Sequence, residues 1–164
     1  MARRPIVVLV VATVILCVVA ALTSAGADDR FSDNGDGTVT DHLLNIMWSQ
    51  TDNQGDISWK QAEQWIRFTF SHTIQASYDD WRLPTLAELK SLLVDDRSYA
   101  GYETDCGQVV RMPAAIRMSC GWVWAADTTS PVTAAAFNFH RGYPYTYRMV
   151  HYRAYRALAV RSIK

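Results

Sequence analysis

Several things are scarce in this chain, and each scarcity removes a class of function. Its three cysteines include no C-x-x-C pair, and its four histidines, His42, His72, His140 and His151, stand singly with no H-x-H or H-E-x-x-H pattern, so a structural zinc site is not expected. There is no G-x-S-x-G elbow, no phosphate-binding Walker loop and no dinucleotide fingerprint. No catalytic residue, cofactor or metal is therefore assigned, and an enzyme is the least favoured reading. Acidic side chains are nearly missing from the C-terminal part: from Cys106 to Lys164 there is one, Asp127, against eight basic residues. From Asp28 to Asp105 the balance reverses, with 15 acidic and six basic residues. The sum beyond residue 27 is close to neutral, which argues against general nucleic-acid binding.

What is present begins with an export signal. Arg3 and Arg4 precede an uncharged run from Ile6 to Leu22, and small residues follow through Ala25-Gly26-Ala27. That layout predicts a signal peptide over residues 1–27 cleaved after Ala27, with an uncleaved anchor over residues 6–22 as the alternative. Either way residues 28–164 are expected outside the cytoplasm as one domain, touching a membrane only through the N-terminal segment if it stays. Leu16 is too bulky for Cys17 to mark a lipoprotein. The two remaining thiols, Cys106 and Cys120, are expected to pair, closing a loop worth on the order of 3 kcal/mol by chain entropy.

The stretch Asp80-Trp81-Arg82-Leu83-Pro84-Thr85-Leu86-Ala87-Glu88-Leu89 organises the rest. Pro84 predicts extended chain through Trp81 to Leu83, and Thr85 with Glu88 forms a capping box for a helix whose stripe is Leu86, Leu89 and Leu93, with Leu92 beside it. Trp81 is read as a core anchor, supported by Pro84, Glu88 and Arg82; Arg82 is taken as the partner of Asp80. Upstream, Asn34-Gly35 and Asp36-Gly37 are turn pairs ahead of Thr38-Val39-Thr40, which predicts a tight hairpin. An EF-hand fits poorly there, because ligand positions counted from Asp33 fall on Gly35, Gly37 and Leu44. Ile46-Met47-Trp48 reads as a buried strand. Ser58 with Gln61 caps a second helix, with Trp59, Ala62 and Ile66 on one face.

Downstream, Asp95 to Ser119 lacks periodicity. Trp122-Val123-Trp124 and Ala134 to Phe139 read as strands, Gly142 and Pro144 as the turn between strands, and Arg156 to Arg161 as alternating, with Leu158 and Val160 on one side. The order is hairpin, helix, helix, loop, antiparallel strands, an α+β class.

These residues carry a resemblance. The runs Asn34-Gly35-Asp36-Gly37-Thr38-Val39-Thr40-Asp41, Met47-Trp48, Ser58-Trp59 and Asp80-Trp81-Arg82-Leu83-Pro84-Thr85 resemble the Lcl C-terminal domain family, bacterial domains mostly of unknown function, named for a collagen-like surface adhesin. The resemblance implies a C-type-lectin-like fold, two helices on a twisted antiparallel sheet with terminal strands adjacent, and an adhesin-like role toward sulfated polysaccharide. It does not imply a calcium site, because the E-P-N, Q-P-D and W-N-D triplets of calcium-dependent lectins are absent, nor a trimer, because no collagen-like stalk precedes the domain.

The functional expectation is therefore an exported, non-catalytic binding module for anionic polysaccharide or another surface polymer. The alternative is a structural or protein-interaction domain of the envelope with an envelope protein as partner. The basic C-terminal half either neutralises the acidic half locally or leaves Arg141, Arg148, Arg153 and Arg156, with His140 and His151, as a positive face. Arg141, Tyr143 and Arg148 are the candidate ligand set: arginines hold sulfate or carboxylate, and a tyrosine face stacks on a sugar ring. Tyr145 and Tyr147 read equally as ligand contacts or as core.

Overall fold

The computed structural model describes residues 30–164, so the expected signal or anchor segment lies outside the described residues. Ten strands and two α-helices follow in the order β1 (Phe31–Asp33), β2 (Thr38–Asp41), β3 (Ile46–Ser49), α1 (Trp59–Phe68), α2 (Leu86–Ser91), β4 (Tyr102–Glu103), β5 (Val109–Val110), β6 (Trp122–Ser130), β7 (Thr133–Asn138), β8 (Tyr143–Arg148), β9 (Tyr155–Arg156) and β10 (Val160–Ser162). A 3-10 turn, Phe70–His72, follows α1. The fold is mixed α+β, mostly sheet.

Two four-stranded sheets carry the architecture, in the orders β1-β2-β3-β10 and β8-β7-β6-β9, with β4 and β5 as a separate ribbon. The N-terminal strands and the C-terminal strand share one sheet, β10 pairing antiparallel with β3 through Val160↔Trp48, with β1 at the opposite edge. One pairing departs from the expectation of antiparallel strands: β9 runs parallel to β6. The chain reaches β9 by a loop from β8 on the far side of the sheet and then crosses directly into β10, so one short C-terminal run ties both sheets together.

In that run the expected alternation holds, with Leu158 and Val160 on one side, but neither side faces solvent. Every residue from Tyr155 to Arg161 is buried. Leu158 and Val160 enter one apolar cluster with Trp48, Leu89, Leu92, Val123 and Phe137. Ala157 and Ala159 enter a second with Met47, Trp59, Ile66, Trp81 and Trp124. The strands thus form a partition with a core on each side, α2 closing one and α1 the other, and a strand buried on both faces keeps no polar side. The two arginines survive inside because each is paired. Arg156 donates to Asp56 Oδ1 (Nη1, 2.8 Å) and to Ser119 Oγ (Nε, 2.6 Å), and Ser119 in turn donates from Oγ (2.9 Å) and from its amide (2.7 Å) to the buried Asp52. Arg161 donates to Asp80 Oδ1 at 2.6 Å and lies over the Tyr78 ring.

The capped helices form as their sequences predict. Thr85 Oγ1 accepts from the Glu88 amide at 3.2 Å while Glu88 Oε2 accepts from the Thr85 amide at 2.6 Å. In α1, Gln61 Oε1 accepts both the Ser58 amide (3.0 Å) and its hydroxyl (2.7 Å), and Trp59, Ala62 and Ile66 are buried. Trp81 is 7% exposed, its ring edge-on to Phe70 at 4.9 Å, which makes it the core anchor expected. Arg82 is not the partner of Asp80: it forms a two-pronged pair with Glu88 (2.9 and 2.6 Å), while Asp80 is held by Arg161. Side chains of adjacent extended residues point to opposite sides, so Asp80 and Arg82, two apart, share a side, but the capping carboxylate is nearer and prepositioned. For Glu88 burial alone would raise the carboxyl pKa, but the Arg82 guanidinium and the Thr85 amide outweigh it and hold it below the usual range.

The hairpin of β1 and β2 is also as expected, with Asp33↔Val39 closing the turn. Its carboxylates serve the turn itself, since Asp33 Oδ1 accepts the Gly35 amide (2.8 Å) and Asp36 Oδ1 the Thr38 amide (3.0 Å). Gly37 sits at φ +89°, and a Cβ there would press on Ile74 at 2.9 Å. Asp41, fully buried, is the hub: Arg30 grips it at 2.9 and 2.6 Å and reaches on to the Ser91 carbonyl at 2.7 Å, strapping the hairpin to the end of α2.

Candidate functional site

One face of the β8-β7-β6-β9 sheet leaves the core and becomes a groove. Along β8 the side chains of Tyr143, Tyr145 and Tyr147 fall on the same side by the two-residue period. In register they stand beside Asn138, Ala136 and Ala134 of β7, and beyond these stand Trp122 and Trp124 of β6. The alanines matter because they carry almost no height. The rings therefore close over Ala134 and Ala136, which are fully buried, and Trp122 meets Tyr143 at 5.9 Å and Tyr145 at 6.3 Å, both near edge-on.

Tyr155 completes the floor. It stacks on Trp124 at 4.3 Å and on Trp122 at 5.3 Å with an interplanar angle of 18°. The turn that delivers it puts Ala154 at φ +65°, a left-handed conformation that its amide secures by donating to Asp56 Oδ1 at 3.0 Å. His151, from the same loop, wedges between Tyr147 (4.4 Å) and Tyr155 (5.1 Å). Arg153 stands at the rim. The whole encloses about 410 Å³.

The opposite rim comes from the disulfide loop. Cys106 and Cys120 are bonded as expected, with Cα atoms 5.3 Å apart, and the bridge brings Gln108 over Gly121, where any Cβ would collide with its amide oxygen. That Oε1 is buried without a hydrogen-bond partner, and the amide borders the groove. Tyr155 is 4% exposed and borders the same groove. Burial first, then the neighbouring Tyr147, Tyr145 and Tyr143, push its pKa up, so it stays a neutral phenol able both to donate and to accept. The groove thus combines flat aromatic faces with one unspent polar atom, Gln108 Oε1, and an arginine at the rim. It contains no nucleophile beside a base. Among the described residues no cluster of three or more His, Cys, Asp and Glu is arranged to hold a metal ion.

Of the predicted ligand set, Tyr143 lines the groove, and Arg141 and Arg148 do not. Arg141 lies in the β7–β8 turn, where its amide donates to Asn138 Oδ1 at 2.9 Å, and Arg148 ends β8 on the face opposite the tyrosines. Both are exposed. Pro144, read as a turn residue, belongs to β8, an edge strand where a missing amide is tolerated. Arg156 drops out of the positive face, because it is buried among Asp52, Asp56 and Ser119. Charge neutralisation therefore accounts for Arg156 and Arg161, and Arg141, Arg148 and Arg153 remain at the surface. Tyr145 and Tyr147, at 51% and 38% exposure, are surface groups, not core. Sequence reasoning missed Gln108, Trp122 and Tyr155. The alternation Trp122-x-Trp124 against Tyr143-x-Tyr145-x-Tyr147 was a visible signal for Trp122; nothing local pointed to Gln108 or Tyr155.

The family profile for the Lcl C-terminal domain matches residues 37–161. The chain belongs to that family. The match covers everything from the β1–β2 turn to β10, so both rims of the groove are part of the shared domain. No curated protein matches the chain.

Proposed function

We propose that this Lcl C-terminal domain is an exported, adhesin-like binding module on a C-type-lectin-like scaffold, and that its groove takes an anionic polysaccharide. The observation that carries the reading is the aromatic slab of exposed Tyr143, Tyr145 and Tyr147 beside half-buried Trp122, edged by the unpartnered Gln108 Oε1. Sugar rings stack their C–H faces on such a slab, and a hydroxyl donates to that oxygen. The ring spacings, 4.3 to 6.3 Å where Trp122, Trp124, Tyr143, Tyr145 and Tyr155 meet, describe rings in contact with one another, a platform and not a box around a cation. Arg153 and His151 at the rim, with Arg148 and Arg141 outside it, favour sulfate or carboxylate substituents.

The test is retention of the protein on heparin-like and on neutral glycans across a salt series. Tyr145→Ala removes half-exposed stacking surface without opening the core, and should weaken binding to the acidic glycan by about tenfold at every salt concentration, the loss of one stacking contact of about 1 to 1.5 kcal/mol. Arg141→Ala with Arg148→Ala should instead flatten the salt dependence, because long-range charge is screened beyond about 8 Å at physiological strength. Equal retention of Tyr145→Ala and parent, or no retention of the parent at low salt, refutes the glycan reading.

A further inference from the structure

A second groove, on the same α1 side of the partition but lined by different residues, has the makings of a strand-addition site. Arg82 forms a single antiparallel bridge to β10, its amide donating to the Val160 carbonyl at 2.9 Å and its carbonyl accepting the Val160 amide at 2.9 Å. The extended segment Trp81–Leu83 is thereby the outermost strand of the β1-β2-β3-β10 sheet. Backbone groups alternate in direction along a strand, so when Arg82 bonds inward, the Trp81 and Leu83 groups point outward. The Leu83 carbonyl is taken by Arg82 Nη1 at 3.1 Å. The Trp81 amide, the Trp81 carbonyl and the Leu83 amide have no partner among the described residues.

These outward groups lie on the segment that walls a groove of about 400 Å³, whose opposite wall is the polar face of α1. Trp81 and Leu83 are themselves 7% and 5% exposed, and the Trp81 Nε1 donor is buried with no acceptor. Unpaired groups in so buried a stretch carry a free-energy penalty that a bound acceptor or donor relieves. The walls are charged unequally: Lys60, Arg67 and Arg82 against Glu63, with Arg82 already shared with Glu88. Phe68, 65% exposed, stands at the mouth.

We infer that this groove docks an extended acidic segment of a partner protein by adding it as a further strand. One residue of the added strand donates its N–H to the Trp81 carbonyl and accepts the Leu83 N–H, which is the hydrogen-bond pair of a parallel bridge. Acidic side chains on the α1 side meet Lys60 and Arg67, and an apolar side chain covers Phe68. The site is separate from the aromatic groove and does not depend on the glycan reading.

The experiment uses the purified full chain and a capped seven-residue peptide of alternating valine and aspartate. Three comparisons accompany it: the peptide with lysine for aspartate, the acidic peptide N-methylated at alternate positions, and the variant Lys60→Glu with Arg67→Glu, whose side chains are exposed on α1 and hold no ion pair. Binding of the acidic peptide should shift the Trp81 and Leu83 amide resonances and the Trp81 indole resonance. N-methylation in the docking register should weaken it by about tenfold, as expected for losing one or two hydrogen bonds, and lysine substitution or the charge-reversed variant by at least as much. Tyr145→Ala should leave it unchanged. No binding of the acidic peptide at millimolar concentration, binding indifferent to N-methylation, or shifts confined to other residues overturns the inference. A peptide that binds the parent and the charge-reversed variant alike overturns it too.

Discussion

Replacing Asp41 with Asn tests how the domain is strapped together. The Asp41 carboxylate is fully buried and accepts five hydrogen bonds: Arg30 Nε (2.9 Å) and Nη2 (2.6 Å), the Leu43 and Leu44 amides (3.1 and 3.3 Å), and Trp48 Nε1 (3.4 Å). Asparagine keeps the volume but has one acceptor oxygen. If that oxygen serves the two amides and Arg30 Nε, the amide group faces Arg30 Nη2 and the Trp48 indole, donor against donor. Removing one partner of a buried ion pair costs about 3 to 5 kcal/mol. Arg30 keeps its Ser91 contacts and a fifth of its side-chain surface in water, so the lower end, about 3 kcal/mol, applies here. For a domain of this size that is a fall in Tm of about 10 °C.

The effect depends on pH in a definite direction. Burial alone would raise the Asp41 pKa, but the Arg30 guanidinium and the neighbouring amides outweigh it and hold it below the ordinary aspartate value. A carboxyl with a depressed folded pKa contributes stability above its unfolded value and loses it as pH falls through the folded one. Parent and Asp41→Asn should therefore differ most near neutral pH and converge as the pH falls through the lowered Asp41 value. Thermal melts across that range, with Arg30→Met and the double mutant completing a cycle, measure the coupling, expected at about 2 kcal/mol. A Tm change under about 3 °C at pH 7, a gap that does not narrow in acid, or a coupling below about 0.5 kcal/mol refutes the strap.

Trp81→Ala should cost about 3 to 5 kcal/mol and unfold much of the population at physiological temperature, since the ring fills the second core against Phe70; a variant melting like the parent would contradict that packing. Replacing Cys106 and Cys120 by Ser should cost about 3 kcal/mol for a loop spanning 14 residues, and should weaken glycan retention by releasing Gln108 from its rim. Unchanged retention by the folded double-serine protein would separate Gln108 from the site.

Much of the fold was legible because its signals are local. Thr85 with Glu88, Ser58 with Gln61, the Asn-Gly and Asp-Gly turns and the two thiols each act through neighbours a few residues away, and each does in the structure what its spacing implies. The errors share another cause. Asp80 was given Arg82 because Arg82 is near in sequence, whereas its partner is Arg161, 81 positions on. The Arg156–Arg161 run alternates as read, but Arg156 was offered as part of an exposed positive face, whereas it and Arg161 are each buried beside a carboxylate from a distant part of the chain. Of the proposed binding set, Tyr143 lines the groove, whereas Arg141, in the turn, and Arg148, on the opposite face of β8, stand outside it.

By itself the sequence determined the class of the fold, its capped helices, its disulfide and its anchoring tryptophan, because propensity, capping and hydrophobic period are written in stretches of ten residues or fewer. Only the tertiary structure decided where the surface lies. The partition buried on both faces, the alanines buried beneath the Trp122 and Tyr145 rings, the Gln108 rim held over Gly121 and the open edge at Trp81 and Leu83 all depend on which strands lie side by side. That choice is made by burying two cores at once, a condition on the whole chain that no local stretch records.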